Sequence, residues 1–324
     1  MNATCAIAGL LLAAIALGHG SALGHGSGII SGKNGDPRNL TTAYPSCGNC
    51  HNSFPNFNVV VGIDGATSVA PGSAVAMRVT VDGANLTSTR GGFTMEASAG
   101  AFVAGTTTRT DTTNAGRAAI THVNSLQRDW TFSWTAPTTP GLVQIFATAN
   151  AANGDGRNSG DAWGWFGPMS NVPGTPHRIF VNGPQVTSTG EGCAGTDGFR
   201  PLLGMANAPT VGTSYVAQTH NLPANGVSVS ILGLSNTAFG TLPLPLPLQG
   251  LGGGSCVLRV SIDLTQVAIA SGAGSGTGVA NATWAIPAVT SLRGLALHHQ
   301  TMTVDAGANS LGLSFSNALS TTVQ

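Results

Sequence analysis

Short runs of Val, Ile, Thr and Phe that alternate with polar residues constrain the fold of this chain more than any other feature. Clear examples lie at 74–81 (AVAMRVTV), 130–135 (WTFSWT), 142–149 (LVQIFATA) and 178–181 (RIFV). A period of two places successive side chains on opposite faces of a strand, whereas few segments show the helical period. Turn residues are abundant, with 46 Gly and 17 Pro among 324 residues. The sequence therefore predicts an all-β fold of two β-sandwich domains.

Charged residues are scarce and balanced. The chain has 12 Lys and Arg against 12 Asp and Glu, so its formal net charge is zero, and charged residues make up only 7%. Binding to nucleic-acid phosphates requires clustered Lys and Arg, so this composition excludes a nucleic-acid-binding protein. Beyond the N-terminal segment, no apolar run approaches the roughly 20 residues of a membrane-spanning helix. We therefore expect no membrane span after removal of the leader.

The N-terminal segment is typical of a secretory signal peptide. Residues 6–17 are apolar and the run HGSALG follows, which predicts cleavage near Ala22. A short core helix is the alternative, because no Lys or Arg precedes the apolar run. With the leader at 1–22 removed, we expect domains at 23–182 and 193–324, separated by a linker at 183–192 that lacks hydrophobic spacing. The protein is then expected to be exported, to the periplasm, the cell surface or the extracellular space.

The cysteines fit export to an oxidising compartment. Cys5 leaves with the leader, and four thiols remain. Cys193 lies in a Gly-rich turn and Cys256 opens a Val/Leu strand, so we predict a structural disulfide between them. Two buried free thiols are the alternative, because a sequence does not show whether their Cα atoms come within bonding distance.

The strongest functional signal is the sequence CGNCH at 47–51. A Cys-x-x-Cys-His sequence in an exported chain is typical of c-type haem attachment. Two thiols at this spacing can each form a thioether to a vinyl group of haem, and the adjacent imidazole can ligate the iron. The pattern predicts one covalent haem c per chain, with Cys47 and Cys50 as attachment thiols and His51 as the proximal iron ligand.

Three other interpretations of this motif stay open. A dithiol redox pair usually begins a helix in an α/β unit, which nothing around the motif resembles. A structural zinc site would need a second pair of ligands, and neither another Cys pair nor a His pair at the required spacing follows. A plain disulfide between Cys47 and Cys50 is the third.

The sixth ligand of the iron would set its potential and reactivity. His122 is the best-placed candidate for a distal ligand, because it lies in ITHVN just before a predicted strand and could point toward the N-terminal segment. The other candidates are His25, Met77, Met95, Met169, His177, His220, His298 and His299.

A loop and a pair of aromatic residues are weaker signals. The loop at 150–161 (NAANGDGRNSGD) offers Asp and Asn oxygens among glycines, which could hold Ca²⁺, but turn chemistry is the favoured interpretation. Trp163 and Trp165 could line a haem edge or a sugar platform, although core packing is the better default. The hydrolase and P-loop motifs do not occur.

Several separated motifs resemble a known family. SCGNCH, GGFTMEASAGAF, ITHVN and WTFSWTAPTTPGLVQIFATANAANGDGRNSGD, all within 34–181, resemble the exported bacterial domain called choice-of-anchor V, itself similar to the reeler domain. This resemblance implies an immunoglobulin-like or reeler-like sandwich preceded by a haem-binding segment. It matches Cys47 and Cys50 to the attachment thiols, His51 to the proximal ligand and His122 to a T-H position. The region 190–324 resembles an unnamed C-terminal β domain of exported bacterial proteins.

These observations predict an exported monohaem c-type cytochrome-like protein that transfers one electron to an unidentified redox partner. An electron carrier is favoured over an enzyme, although a haem sensor or peroxidase-like protein with an open sixth position is a further interpretation. The alternative from another class is a cell-surface or extracellular adhesion or structural protein, in which the Cys47/Cys50 pair is structural or metal-bound. The second domain is a candidate for surface attachment or self-association.

Overall fold

The computed structural model describes residues 27–28, 46–83, 87–112, 116–167 and 175–324. Regular structure in these ranges is almost entirely β, which confirms the all-β prediction. The predicted signal peptide and the ligand candidates His25 and Met169 lie outside the described residues. None of the helices in the described ranges is long and apolar enough to cross a membrane.

The described part of the first half contains eleven strands. They are β1 (Val59–Asp64), β2 (Ser68–Val69), β3 (Ala74–Gly83), β4 (Gly91–Ala97), β5 (Ala101–Val103), β6 (Thr108–Thr112), β7 (Ala118–His122), β8 (Asp129–Thr135), β9 (Gly141–Ala151), β10 (Ala162–Trp165) and β11 (His177–Val181). Strands β3, β8, β9 and β11 cover the four runs singled out in the sequence. The alternation in those runs therefore predicted the strands correctly.

These strands form two sheets. One has the order β1-β3-β8-β5, and the other has the order β2-β11-β9-β4-β7-β6 with β10 beside β9. Side chains from both sheets share one hydrophobic core. Val79 of β3 and Trp130 and Trp134 of β8 meet Met95 of β4 and Ile145 of β9 there, and all five are essentially inaccessible to solvent. Burial of such large apolar side chains is the main favourable term in folding.

The second half has its own sheets and its own cores. Its strands are β12 (Thr187–Thr189), β13 (Leu202–Gly204), β14 (Ser214–Leu222), β15 (Val227–Gly233), β16 (Ala238–Phe239), β17 (Leu242–Pro243), β18 (Leu246–Pro247), β19 (Val257–Leu258), β20 (Leu264–Ile269), β21 (Gly278–Ala285), β22 (Ala296–Val304), β23 (Leu313–Phe315) and β24 (Ala318–Thr322). A six-stranded sheet contains β12-β24-β22-β15-β20 with β23 beside β22, and a three-stranded sheet contains β13-β14-β21. A cluster that includes Leu203, Tyr215, Leu232 and Trp284 packs between these two sheets.

Part of the segment that we predicted to be a linker is a strand. Strand β12 lies within 183–192 and pairs antiparallel with β24 of the second half. Val186, just before it, is buried in the second-half core. A three-residue strand of Thr and Ser is held mainly by backbone hydrogen bonds, so it leaves no hydrophobic period in the sequence.

Buried polar contacts join the two halves. The guanidinium of Arg178, on β11, donates from Nη1 to Oδ1 of Asn221 and to the carbonyl oxygen of Gly276, each at 2.7 Å. Arg178 is only 8% exposed. Nearby, the N–H of Met205 donates to Oδ1 of Asn182 over 3.1 Å. A cation buried in this way requires its partners, so the first half depends on acceptors that the second half supplies.

Cys193 and Cys256 form the predicted disulfide. Their Cα atoms are 4.9 Å apart, and the bridge closes a sequence separation of 63 residues. Both cysteines lie in a buried cluster with Ile231, Val260 and Phe315. The N–H of Cys193 also donates to the carbonyl of Phe315 over 2.9 Å. The bridge therefore ties the start of the second half to its interior.

Removal of this disulfide is expected to destabilise the protein substantially. A loop of this length restricts the unfolded chain, so the double variant Cys193→Ala/Cys256→Ala should lose roughly 4 kcal/mol of unfolding free energy. Urea unfolding of the variant and of the oxidised wild type measures the difference, and wild type under reducing conditions serves as the control. Equal midpoints for the variant and the oxidised wild type would contradict this expectation.

Candidate functional site

The Cys-x-x-Cys-His segment folds into a tight turn. Residues Cys47–Asn49 form a 3-10 helix. The N–H groups of Cys50 and His51 both donate to the carbonyl oxygen of Cys47, at 3.1 and 2.9 Å. The turn therefore brings both thiols and the imidazole together within one compact segment.

Hydrogen bonds with the loop between β9 and β10 and with β10 itself hold this turn in place. The amide of Asn158 donates to the carbonyl of Cys50, and the amide of Asn52 donates to the carbonyl of Asp161. The indole N–H of Trp163, on β10, donates to the carbonyl of Asn52 over 2.6 Å. Hydrogen bonds donated by the motif segment and hydrogen bonds donated to it therefore fix this segment against the seven-stranded sheet.

Gly48 permits the closest of these approaches. A Cβ atom at this position would lie 2.6 Å from Cζ2 of Trp163, which is shorter than any real contact of that kind. Trp163 is buried at 1% exposure and contacts Trp165 edge to face with ring centroids 4.9 Å apart. Both tryptophans are buried, but neither belongs to the hydrophobic core of the first half, so the expected core packing is wrong and Trp163 packs against the motif instead.

The two motif cysteines are free thiols. The thiol of Cys47 donates to Oγ1 of Thr148, on β9, with 3.7 Å between the two atoms. Desolvation by burial raises the pKa of the Cys47 thiol to about 11. Cys47 is therefore a protonated thiol at neutral pH in this state, which is unlike the thiolate nucleophile of a dithiol oxidoreductase.

His51 lies against a buried carboxylate. Its Nδ1 is 3.0 Å from Oδ2 of Asp161, although the oxygen lies off the line of the ring N–H. Asp161 is only 2% exposed. The carboxylate also accepts from Nδ2 of Asn150 at 3.2 Å and from the N–H of Asn153 at 2.8 Å. These donors compensate for the burial of its charge.

The same contacts keep Asp161 ionised. Burial by itself would raise the pKa of its carboxyl group. The close imidazole of His51 and the hydrogen bonds from Asn153 and Asn150 outweigh this effect and hold the pKa below its ordinary value. A negative charge therefore sits directly behind the imidazole of the motif.

His122 is buried at the end of β7, next to the backbone of β4. Its Nδ1 accepts from the backbone N–H of Phe93 at 2.9 Å and also lies 3.1 Å from the carbonyl oxygen of Phe93, to which it would donate only in the other tautomer. A Cβ atom at Gly92 would collide with the imidazole ring. The glycine therefore lets the ring lie directly on the strand.

One cavity of about 400 Å³ brings the predicted residues together. Its walls include Cys47, Cys50, His51 and, from a distant part of the sequence, His122. Strand β4 contributes Gly92, Phe93 and Thr94, and the loop at 152–161 contributes Gly154, Asp155, Gly156, Arg157 and Asp161. This volume is within the range of roughly 300–1,000 Å³ that is typical of ligand and cofactor sites.

The residues around this cavity fit a covalently bound haem. Two thiols at the attachment spacing and two imidazoles are the donor set that such a group requires. Arg90 and Arg157 also line the cavity and are exposed at its mouth, where they could pair with the two carboxylates that a haem carries. Among the described residues, no group of three or more His, Cys, Asp or Glu side chains is arranged to hold a metal ion by itself.

The other ligand candidates in the described residues lie elsewhere. Met77 and Met95 belong to the hydrophobic core of the first half. His177 is buried against Phe166, with ring centroids 5.5 Å apart. The three histidines of the second half are buried in β14 and β22 and do not line the cavity, namely His220, His298 and His299.

Two polar side chains of the loop at 150–161, those of Asn153 and Asp155, form turns. Oδ1 of Asn153 accepts from the N–H of Asp155 at 3.0 Å, and Oδ1 of Asp155 accepts from the N–H of Arg157 at 2.7 Å. This pattern is the turn chemistry that was favoured over a calcium site. Sequence reasoning did not single out the contact between Asp161 and His51. It also missed Thr148 and the two arginines, because no local pattern marks them.

Comparison with known proteins does not assign the chain to a family. No family model matches it, and no curated protein matches it significantly in sequence. The argument about function therefore depends on the residues of the cavity.

Proposed function

We propose that this protein is an exported monohaem c-type cytochrome-like electron carrier. Cys47 and Cys50 would form the thioether links, His51 would be the proximal iron ligand and His122 the distal one. The observation that carries the proposal is the shared cavity, in which the Cys-x-x-Cys-His turn meets an imidazole from β7. A covalently held haem supplies a one-electron couple whose potential depends on its axial ligands and burial.

The protein's own groups orient the two imidazoles. A histidine that ligates iron through Nε2 carries its proton on Nδ1, and that proton needs an acceptor. Oδ2 of Asp161 is 3.0 Å from Nδ1 of His51, and the carbonyl oxygen of Phe93 is 3.1 Å from Nδ1 of His122. An oxygen therefore lies near Nδ1 of each ring, and ligation by His122 through Nε2 would require Nδ1 to exchange the bond from the N–H of Phe93 for one to its carbonyl oxygen.

The proposed electron carrier is also expected to be exported and to act with a redox partner. The predicted leader at 1–22 and the disulfide between Cys193 and Cys256 both fit an oxidising compartment, such as the periplasm or the cell exterior. The resemblance to choice-of-anchor V and reeler domains supports a sandwich of that kind for the first half. The second half would serve surface attachment or self-association. Since each chain carries one haem, electrons must pass to a separate redox partner.

The mass of the mature protein tests this function. Produced in a host that matures c-type cytochromes, the wild type should weigh one haem more than its amino acids and keep its absorbance spectrum after denaturation. The double variant Cys47→Ala/Cys50→Ala should lose both properties, because it has no thiol at the attachment positions. Denaturing mass spectrometry checks both chains.

Other outcomes identify other functions. A wild-type chain that weighs no more than its polypeptide would contradict haem attachment. A colourless protein with structural or metal-bound cysteines would instead support the adhesion or structural alternative. A control variant at the cavity wall, Ser125→Ala, should keep the added mass.

A further inference from the structure

The carboxylate of Asp161, next to His51, is held in place by several contacts. Asp161 is almost fully buried, and both of its carboxylate oxygens have named partners. Its backbone carbonyl also accepts the amide of Asn52, which directly follows the motif histidine. The segment that carries His51 and the segment that carries Asp161 are therefore fixed to each other by more than one contact.

The two imidazoles that would ligate the iron have different surroundings at Nδ1. Nδ1 of His51 lies 3.0 Å from a carboxylate oxygen, whereas Nδ1 of His122 meets only the neutral backbone of Phe93, accepting from its N–H at 2.9 Å and lying 3.1 Å from its carbonyl oxygen. A charged oxygen at this distance attracts the Nδ1 proton of an imidazole more strongly than a neutral backbone group does. It also draws the Nδ1 proton toward the acceptor, which makes the imidazole a stronger electron donor through its other nitrogen.

We propose that Asp161 is a positioning residue that orients His51 and lowers the reduction potential of the bound iron. This inference rests on the proposed function. A more strongly donating His51 stabilises the ferric state more than the ferrous state, because the ferric iron carries more positive charge. Asp161 thus sets the redox range of the protein without touching the haem iron.

The substitution Asp161→Asn tests this role in the full mature chain. Asparagine keeps the shape of the side chain and removes its charge. We expect the variant to carry covalent haem like the wild type and to have a higher midpoint potential. Second-sphere substitutions typically change metal-site properties by about tenfold or more. A tenfold change in the ratio of ferric to ferrous protein is about 59 mV for a one-electron couple.

Asp155→Asn is the matched control. Asp155 lines the same cavity, is exposed and does not contact His51 in the structure. Its substitution removes the same charge, so we expect a much smaller change in potential. Equal shifts in the two variants would show a general charge effect and overturn the assignment to Asp161.

The remaining outcomes separate this inference from the proposed function. Haem-loaded Asp161→Asn protein with an unchanged potential overturns the role of Asp161 and leaves haem binding intact, whereas wild type without haem overturns both. The electron paramagnetic resonance spectrum of the ferric wild type does not depend on the folding of any variant. If His51 is a strong electron donor, the g values in this spectrum should span a narrow range. A wide range, as expected for two imidazoles with neutral acceptors, would contradict the proposal.

Discussion

Replacing His122 by alanine is expected to open the iron of the proposed haem to external ligands. The variant should show a shifted Soret band, and its ferrous form should bind carbon monoxide without displacing a protein ligand. The reason is that His122 is the described histidine that shares the cavity with the Cys-x-x-Cys-His turn. Absorbance spectra before and after addition of carbon monoxide measure the change.

The same substitution should also lower stability. Nδ1 of His122 is 2.9 Å from the backbone nitrogen of Phe93, in a buried part of β4. Loss of a buried hydrogen-bond partner costs about 1–3 kcal/mol, which urea unfolding can detect.

Two further variants sharpen this test. Ser125→Ala changes another residue of the cavity wall and should leave the spectrum unchanged. His122→Met offers a thioether in place of the imidazole and should restore six coordination at a higher potential. If His122→Ala keeps the wild-type spectrum and its resistance to carbon monoxide, His122 is not an iron ligand.

Acid is expected to destabilise this protein before its carboxylates titrate. Burial lowers the pKa of His177 and of His220 to about 4 and that of His299 to about 3. The neighbouring charge of Arg178 adds to the effect at His220. Below pH 6.5, the unfolded chain binds protons at these three histidines and the folded chain does not.

The sign and size of this effect follow from linkage. These groups favour the folded state above the unfolded pKa of 6.5, and their contribution is lost as the pH falls toward about 4. Each buried histidine removes about 1.4 kcal/mol per pH unit in this window, so three remove about 4 kcal/mol per unit. Domains are stable by only about 5–15 kcal/mol, so the loss between pH 7 and pH 5 is large.

Urea unfolding at a series of pH values measures this slope. His220→Leu is the informative variant, because neither ring nitrogen of His220 has a hydrogen-bond partner in the structure. It should reduce the acid slope by about one third and leave stability at pH 7.5 similar or higher. A wild-type stability that stays constant between pH 7 and pH 5 would show that these histidines take up protons in the folded state.

The strands could be predicted from the sequence because the alternation of apolar and polar residues is a local pattern. Strand β8 buries Trp130, Phe132 and Trp134 on one face, as alternation predicts. Strand β4 is buried along its whole length and shows no such alternation. Strand order and register depend on distant residues, so no local pattern could place β4 between β9 and β7.

Some residues of the candidate site could likewise be predicted from local sequence, and others could not. The thiols and His51 follow from a five-residue motif, and His122 was singled out from its place before a strand and from the resemblance. The role of Asp161 was not predictable, because Asp in a Gly-rich loop usually serves a turn. Its contact with His51 exists only because the loop between β9 and β10 folds back over the motif. Haem attachment, ligation by His122 and the reeler-like identity of the first half stay predictions.

The buried Arg178 has a consequence for how such a protein can evolve. Recombination that exchanged one half for an unrelated module would leave this guanidinium without its two oxygen acceptors. Inheritance of the two halves as a unit is therefore favoured, and descendants that lose one half should also lose the arginine.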